Sequence, residues 1–317
     1  MIPNQVRVTT GSRLHLGLLD AVEPFGGVGL MIDHPVTEVT ATRTNRYQPP
    51  NVSAKRIDAI AKNYCRVFRQ SELPPCQIDV HHRPNPHCGL GSGTQLSLAV
   101  AEAMCRLFDV DSTSEQIAST IARRGKRSAV GIHGYFNGGL IFEGAASHSR
   151  SPPINPIIER STIRDSWCVA LFRNRIAENC VSGQLEQTHF DNLKPASQAS
   201  QAKLREIATM RLLPAAREAH FDRFAEAVEA YNHASGMLFS DVQGGAYNGP
   251  AITGLVDWLK QNQATGVGQS SWGPTVFAWF PSRPDAKRFV YQSIDQTNIE
   301  VFYAAAKNRP RQIRVDG

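Results

Sequence analysis

A chain of 317 residues with 41% hydrophobic and 20% charged side chains is long enough for two packed cores and too apolar for general disorder. Its formal charge of +6 points to anionic partners. The basic residues are scattered, however, and the densest group, Arg123-Arg124-Gly125-Lys126-Arg127, is short and has no interleaved aromatics, so small anionic substrates are expected and no nucleic acid. Six cysteines without a C-x-x-C or a paired His/Cys spacing read as reduced thiols, mostly core filler. Met1-Ile2-Pro3-Asn4-Gln5 runs straight into a strand pattern, and no apolar run reaches membrane-spanning length. A cytoplasmic protein with no membrane partner is expected.

Residues 5–19 alternate, placing Leu14, Leu16 and Leu18 toward a core and leaving Arg13, His15 and Gly17 together on the opposite face. An arginine and a histidine sharing a strand face with a glycine suggest a place where an anion approaches. Asp20 and Glu23 follow, then a glycine-rich turn over 24–29, and a second strand is expected over 36–44. Apolar residues at three-to-four spacing predict a helix over 58–68, and Gln77 to His81 reads as a short strand.

The distinctive stretch is Pro84-Asn85-Pro86-His87-Cys88-Gly89-Leu90-Gly91-Ser92-Gly93-Thr94. The prolines hold the chain extended, three alternate glycines free it to turn N–H groups inward, and an apolar helix follows from Thr94 to Phe108. A glycine loop opening onto a helix N-terminus favours phosphate. The spacing fits neither the Walker loop nor the dinucleotide fingerprint. Further along that helix, Glu102 and Arg106 are expected one turn apart on its exposed side.

Ser112-Thr113-Ser114-Glu115 has the form of a capping box opening a helix to about Arg124, which Gly125 stops. A second glycine-rich region spans 125–139 and leads into the strand 140–142. Residues 147–164, with three prolines, read as a linker, which divides the chain into a domain over 1–160 and another over 161–317. The second half predicts a strand at 167–172 and helices over 195–213 and 218–235. A helix face is marked by Ile252, Leu255, Val256 and Leu259. A turn rich in glycine and hydroxyls (266–275) then feeds a strand, followed by a helix at 285–292 and a strand at 299–305. The polar tail beyond Lys307 is expected to fray, and no internal repeat is seen.

Read together, Pro86-x-x-Gly89-Leu90-Gly91-Ser92-Gly93 and the late turn at 266–278 resemble the GHMP kinase superfamily. A narrower resemblance, over about residues 5–280, is to the β-ribofuranosylaminobenzene 5′-phosphate synthases. It is carried by Arg13-Leu14-His15 with Leu18-Leu19-Asp20, Gly26-Gly27-Val28-Gly29-Leu30, Gly89 to Gln95, Gly125-x-Arg127-Ser128 with Gly131-Ile132, Gln243-Gly244-Gly245, and Gly268 to Thr275. Two α+β domains are implied, an amino-terminal half like ribosomal protein S5 domain 2 and a ferredoxin-like carboxyl half, with the ligand between them and a homodimer as the family expectation. The implied reaction joins 5-phosphoribosyl 1-diphosphate to 4-hydroxybenzoate or 4-aminobenzoate, releasing carbon dioxide and diphosphate, on the way to tetrahydromethanopterin.

The alternative is an ATP-dependent small-molecule kinase of the same superfamily, and a third reading is a non-catalytic anion- or RNA-binding protein. The kinases carry a second serine where this chain has Gly93 and an aspartate where it has His133, and both differences speak for the transferase. Under that reading the loop Gly89, Leu90, Gly91, Ser92, Gly93 and Thr94 holds diphosphate, and Arg13 and Arg127 take a phosphate and the benzoate carboxylate. His15 is the first choice of general base, Asp20 the second and His133 a weaker third. Ser128, Gly131, Gln269, Ser270 and Ser271 are expected to contact substrate. Magnesium is expected on the diphosphate, with no protein ligand identifiable, and no organic cofactor.

Overall fold

The computed structural model describes residues 3–144, 154–175 and 193–317. Cys180 and part of the expected linker lie outside them. The first layer is a six-stranded sheet of β1 (Gln5–Leu18), β2 (Gly27–Arg43), β3 (Cys76–His82), β4 (Leu140–Glu143), β5 (Ile157–Ser161) and the last strand, β10 (Gln312–Asp316), in the order β10-β1-β2-β4-β5 with β3 also paired to β2. Its backbone is a long antiparallel pair, β1 (Gln5–Leu18) and β2 (Gly27–Arg43). The alternation seen in β1 serves two cores. Val6 and Val8 pack with the helices α1 (Ala54–Val67) and α2 (Ser92–Leu107), whereas Leu14 and Leu16 join a core shared with the second half of the chain. The switch coincides with a register break between Thr10 and Ser12. There two steps along β1 are matched by five along β2, an odd shift that moves every later side chain to the other face, which leaves Arg13 and His15 beside the start of α2.

The first strip of sheet is completed by β3 (Cys76–His82), β4 (Leu140–Glu143) and β5 (Ile157–Ser161). The short helix α3 (Val130–Asn137) packs on β2 and α2. Beyond it, β6 (Cys168–Asn174), β7 (Thr265–Gln269), β8 (Val276–Phe280) and β9 (Ile299–Ala305) form a four-stranded antiparallel sheet in the order β7-β8-β6-β9. In chain order that is 4-1-3-2, the ferredoxin-like arrangement expected. Its helices are α4 (Gln198–Glu206, prolonged through wider turns to Arg217), α5 (Phe221–Gly236), α6 (Gly249–Gln261) and α7 (Arg283–Ser293). Phe224 of α5 packs edge-on against Trp279 of β8 at 5.2 Å, inside the core that also holds Leu14 and Leu16.

Several expectations are corrected. The tail does not fray: β10 (Gln312–Asp316) pairs antiparallel with β1, because Ile313 and Val315 alternate in strand fashion. Glu102 is fully buried, not on a solvent face. Its carboxylate takes a forked pair of bonds from Arg311 and accepts from Tyr135 Oη at 2.7 Å, which anchors the carboxyl end of the chain to α2. The capping box lies one residue later than expected: Thr113 and Gln116 exchange the two reciprocal bonds at 3.1 and 3.0 Å, opening a wide helical turn over Gln116–Ile121. Residues 157–161 are a strand paired with β4, and the late glycine turn is the bend of the β7–β8 hairpin.

Candidate active site

A cavity of about 890 Å³ opens between β1, the start of α2, the loop 123–131, α5 and the β7–β8 bend. A smaller one of about 190 Å³ adjoins it at the glycine loop and shares Arg13, Thr94, Arg124, Ser271 and Trp272. Backbone stitching holds these distant segments together. Arg13 N donates to Leu90 O at 3.0 Å and Ser271 N to His15 O at 3.4 Å. Ser270 Oγ accepts from His15 N at 3.1 Å and donates to Gly89 O at 2.8 Å, and Thr275 Oγ1 donates to Cys88 O at 2.6 Å. Asn232 of α5 donates to both Leu16 O and Gln269 O. Strand β1, the loop and the bend therefore share one hydrogen-bonded knot.

The glycines are required by this knot. Gly89 and Gly91 have φ of +80° and +69°, where side chains are strained. A Cβ at Gly91 would lie 3.0 Å from Arg13 Nε, so the guanidinium lies along the loop. Gly91 precedes the first turn of α2, and no side chain caps that end; its amides and dipole face the smaller cavity. The walls of the larger cavity carry Arg13, Arg123, Arg124, Lys126 and Arg127 against one acid, Glu23.

His15 is buried and its pKa is held well below the usual value, first by burial and then by Arg13. The imidazole is therefore neutral at pH 7, able to accept a proton or a hydrogen bond. Its Nε2 lies 3.3 Å from Ser128 Oγ. Behind Ser128 is Glu143, fully buried, whose Oε2 accepts from Ala129 N at 2.7 Å while Oε1 has no hydrogen-bond partner. Burial pushes the Glu143 carboxyl up to about 8, against the pull of Ser128, Ala129, Asn155 and Arg13.

The structure brings Arg13, His15, Thr94, Arg127, Ser128, Gly131, Gln269 and Ser271 to the larger cavity, and Gly89, Gly91, Ser92 and Gly93 to the smaller. Asp20 is corrected. It lines neither, and its oxygens accept from Ala196 N at 2.8 Å and Gln201 Nε2 at 2.6 Å, tying a loop to α4. Ser270 is fully buried with its hydroxyl engaged in the knot; it braces the site without reaching the cavity. The side chain of Leu90 enters the shared core, which leaves only its backbone for an anion. His133 points away, its Nε2 2.6 Å from Asn155 O. Most of Gln269 is likewise spent on Asn248 N and Ser271 O. The sequence reading missed Arg56, Arg124 and Glu143.

Two family models match the chain, the GHMP kinases N terminal domain over residues 55–139 and the GHMP kinases C terminal over 212–293. The chain belongs to the GHMP kinase superfamily. Among curated relatives of this GHMP protein is the beta-ribofuranosylphenol 5'-phosphate synthase of Archaeoglobus fulgidus, 29% identical over 86% of this chain and 87% of that one. The protein of the same name from Methanothermobacter thermautotrophicus is 26% identical over 87% and 89%. Among solved structures, homoserine kinase from Cytophaga hutchinsonii matches with a TM-score of 0.66 at 12% identity, covering 99% of this chain and 98% of that one. The Streptococcus pneumoniae phosphomevalonate kinase matches with a TM-score of 0.66 at 15% identity, covering 95% and 99%. At such identities the kinase likeness is one of fold.

Proposed function

We infer that the protein is a decarboxylating phosphoribosyltransferase, joining 5-phosphoribosyl 1-diphosphate to 4-hydroxybenzoate or 4-aminobenzoate in tetrahydromethanopterin biosynthesis. The observation that carries this reading, with the synthase relatives, is that the glycine loop, Arg13 and the basic loop 123–127 meet at two adjoining cavities, the larger holding a neutral histidine. The bond from the sugar C1 to the diphosphate oxygen breaks with its electron pair leaving on diphosphate. The ring carbon bearing the carboxylate bonds to C1, and the pair of the departing carboxylate restores the aromatic ring as carbon dioxide leaves. Negative charge grows on diphosphate, where oriented amides and guanidinium groups stabilise it. His15 accepts the hydrogen bond of the para hydroxyl or amino group, strengthening its donation into the ring. Arg13 and Arg127 take the remaining anionic groups, the 5-phosphate and the benzoate carboxylate.

The donor set at the loop does not fit a protein-held magnesium. Its charged side chains are guanidiniums, and among the described residues no three His, Cys, Asp or Glu side chains converge. Magnesium carried in on the diphosphate is part of the proposal. Homodimerisation and a cytoplasmic location also belong to this reading; among the described residues no helix is long and apolar enough to cross a membrane. The decisive assay supplies carboxyl-labelled 4-hydroxybenzoate or 4-aminobenzoate with phosphoribosyl diphosphate and collects labelled carbon dioxide. No release with any divalent cation, together with ATP consumption on small alcohols, would move the assignment to the kinase.

A further inference from the structure

Gly93 lies within α2, outside the positive-φ region. Its backbone conformation does not call for glycine, and intrinsic propensity favours alanine there. What a side chain at 93 would meet is Arg56, from the first turn of α1. A Cβ would collide with the guanidinium Nη1 and lie 3.3 Å from Cζ. Arg124 reaches the same place from the basic loop. Its Nη2 and Nε donate to Ser97 Oγ at 2.9 and 3.2 Å, and Ser97 Oγ donates in turn to Gly93 O at 2.8 Å. Both guanidiniums line the small cavity at the loop, together with Arg13.

Two half-buried cations side by side are an unfavourable arrangement, and no carboxylate among the described residues forms an ion pair with either. Burial lowers both; Arg83, whose Nη1 donates to Ser53 Oγ, lowers Arg56 further, and Arg56 in turn lowers Arg124, to about 10. An arriving polyanion relieves that repulsion, and planar forks suit two linked phosphates better than point charges do.

We propose that Arg56 and Arg124 form a two-guanidinium seat for the diphosphate of the activated sugar, and that residue 93 is glycine to let Arg56 reach it. The proposal rests on the transferase reading for the identity of the anion. In the reaction the electron pair of the breaking C1–O bond stays on the leaving diphosphate oxygen, whose growing charge the two guanidiniums stabilise without transferring a proton.

The test is calorimetric titration of inorganic diphosphate into the full-length wild type, Arg56→Gln, Arg56→Lys and Gly93→Ala, each also melted and assayed for labelled carbon dioxide release. Gly93→Ala adds a side chain whose only obstacle is the flexible end of Arg56. It is expected to melt no lower than wild type yet bind diphosphate at least tenfold more weakly, with a raised KM for phosphoribosyl diphosphate. Arg56→Gln is expected to lose at least as much, and Arg56→Lys to recover only part of it. Diphosphate affinity within twofold of wild type in both Gly93→Ala and Arg56→Gln overturns the seat, as does a wild type that does not bind diphosphate. If diphosphate binds and Gly93→Ala weakens it while no carbon dioxide is ever released, the seat stands and the transferase reading falls.

Discussion

Replacing Glu143 by glutamine tests the electrostatics at the back of the cleft. Glu143 ends β4, fully buried, with Oε2 on Ala129 N and Oε1 without a partner. Its carboxyl is raised from 4.5 to about 8, chiefly by burial. A folded-state value above the unfolded one means the stabilising contribution is fully present below about pH 4.5 and is lost as pH rises through 8. At 1.36 kcal/mol per unit, the full swing is on the order of 5 kcal/mol. Glutamine matches the protonated acid in shape, keeps an acceptor for Ala129 N and cannot ionise. Urea unfolding of both proteins from pH 5 to 9 is expected to show the wild type losing several kcal/mol more than Glu143→Gln, with the variant the more stable above pH 8. Because Arg13 is one of the groups pulling the carboxyl down, an anion bound at Arg13 is expected to raise it further, so that the loss continues to higher pH and grows. Parallel stability profiles for the two proteins would refute the assignment of a neutral Glu143 carboxyl.

Three further outcomes are expected. His15 is held below its usual value, so it stays neutral at physiological pH; the pH profile of kcat/KM should show no acid limb near 6.5, and His15→Ala should lower kcat by roughly 10²–10⁴. Asp20→Ala removes acceptors for Ala196 N and Gln201 Nε2, costing about 1–3 kcal/mol in denaturant unfolding while kcat at low temperature stays within a few fold of wild type. Arg311→Ala strands the fully buried Glu102 carboxylate, and a loss of about 3–5 kcal/mol is expected, with early hydrogen exchange at β10.

What the sequence exposed of the site was the part carried by local pattern. The glycine loop, the Arg13–His15 strand face and the Arg127-Ser128 turn each announce themselves within a dozen residues. Arg56 does not, because a charged residue near the start of an amphipathic helix looks like any solvated one until α1 is laid beside α2. Glu143 reads as the end of an apolar strand, and only the tertiary neighbours Ser128 and Arg13 give it a role. Glu102 misled through a true local pair: Arg106 does lie 3.6 Å away, but the dominant partner, Arg311, is 209 residues distant. The strand–helix order of the second half was legible in the sequence and its ferredoxin-like arrangement came only with the family resemblance, whereas the return of β10 to the first sheet is a pairing between the two ends of the chain that no window can contain.

The same long-range knot bears on which chemistry the fold supports here. Transfer of a phosphoryl group to an alcohol asks for a group that takes the alcohol's proton beside the phosphates. Asp20 and His133 are committed elsewhere, and His15 sits on the strand floor facing Ser128. Displacement of diphosphate by an electron-rich ring asks for less from a base and more from cations and amides around the leaving group, and that is what lines the glycine loop. His15 N, Ser270 Oγ and Gly89 O form one continuous hydrogen-bonded line, so the histidine and the glycine loop cannot shift independently. Ser270→Ala should therefore lower kcat and raise the KM for phosphoribosyl diphosphate together, although Ser270 lines neither cavity. A change in only one of the two constants would show that the histidine and the loop are not coupled through this bond.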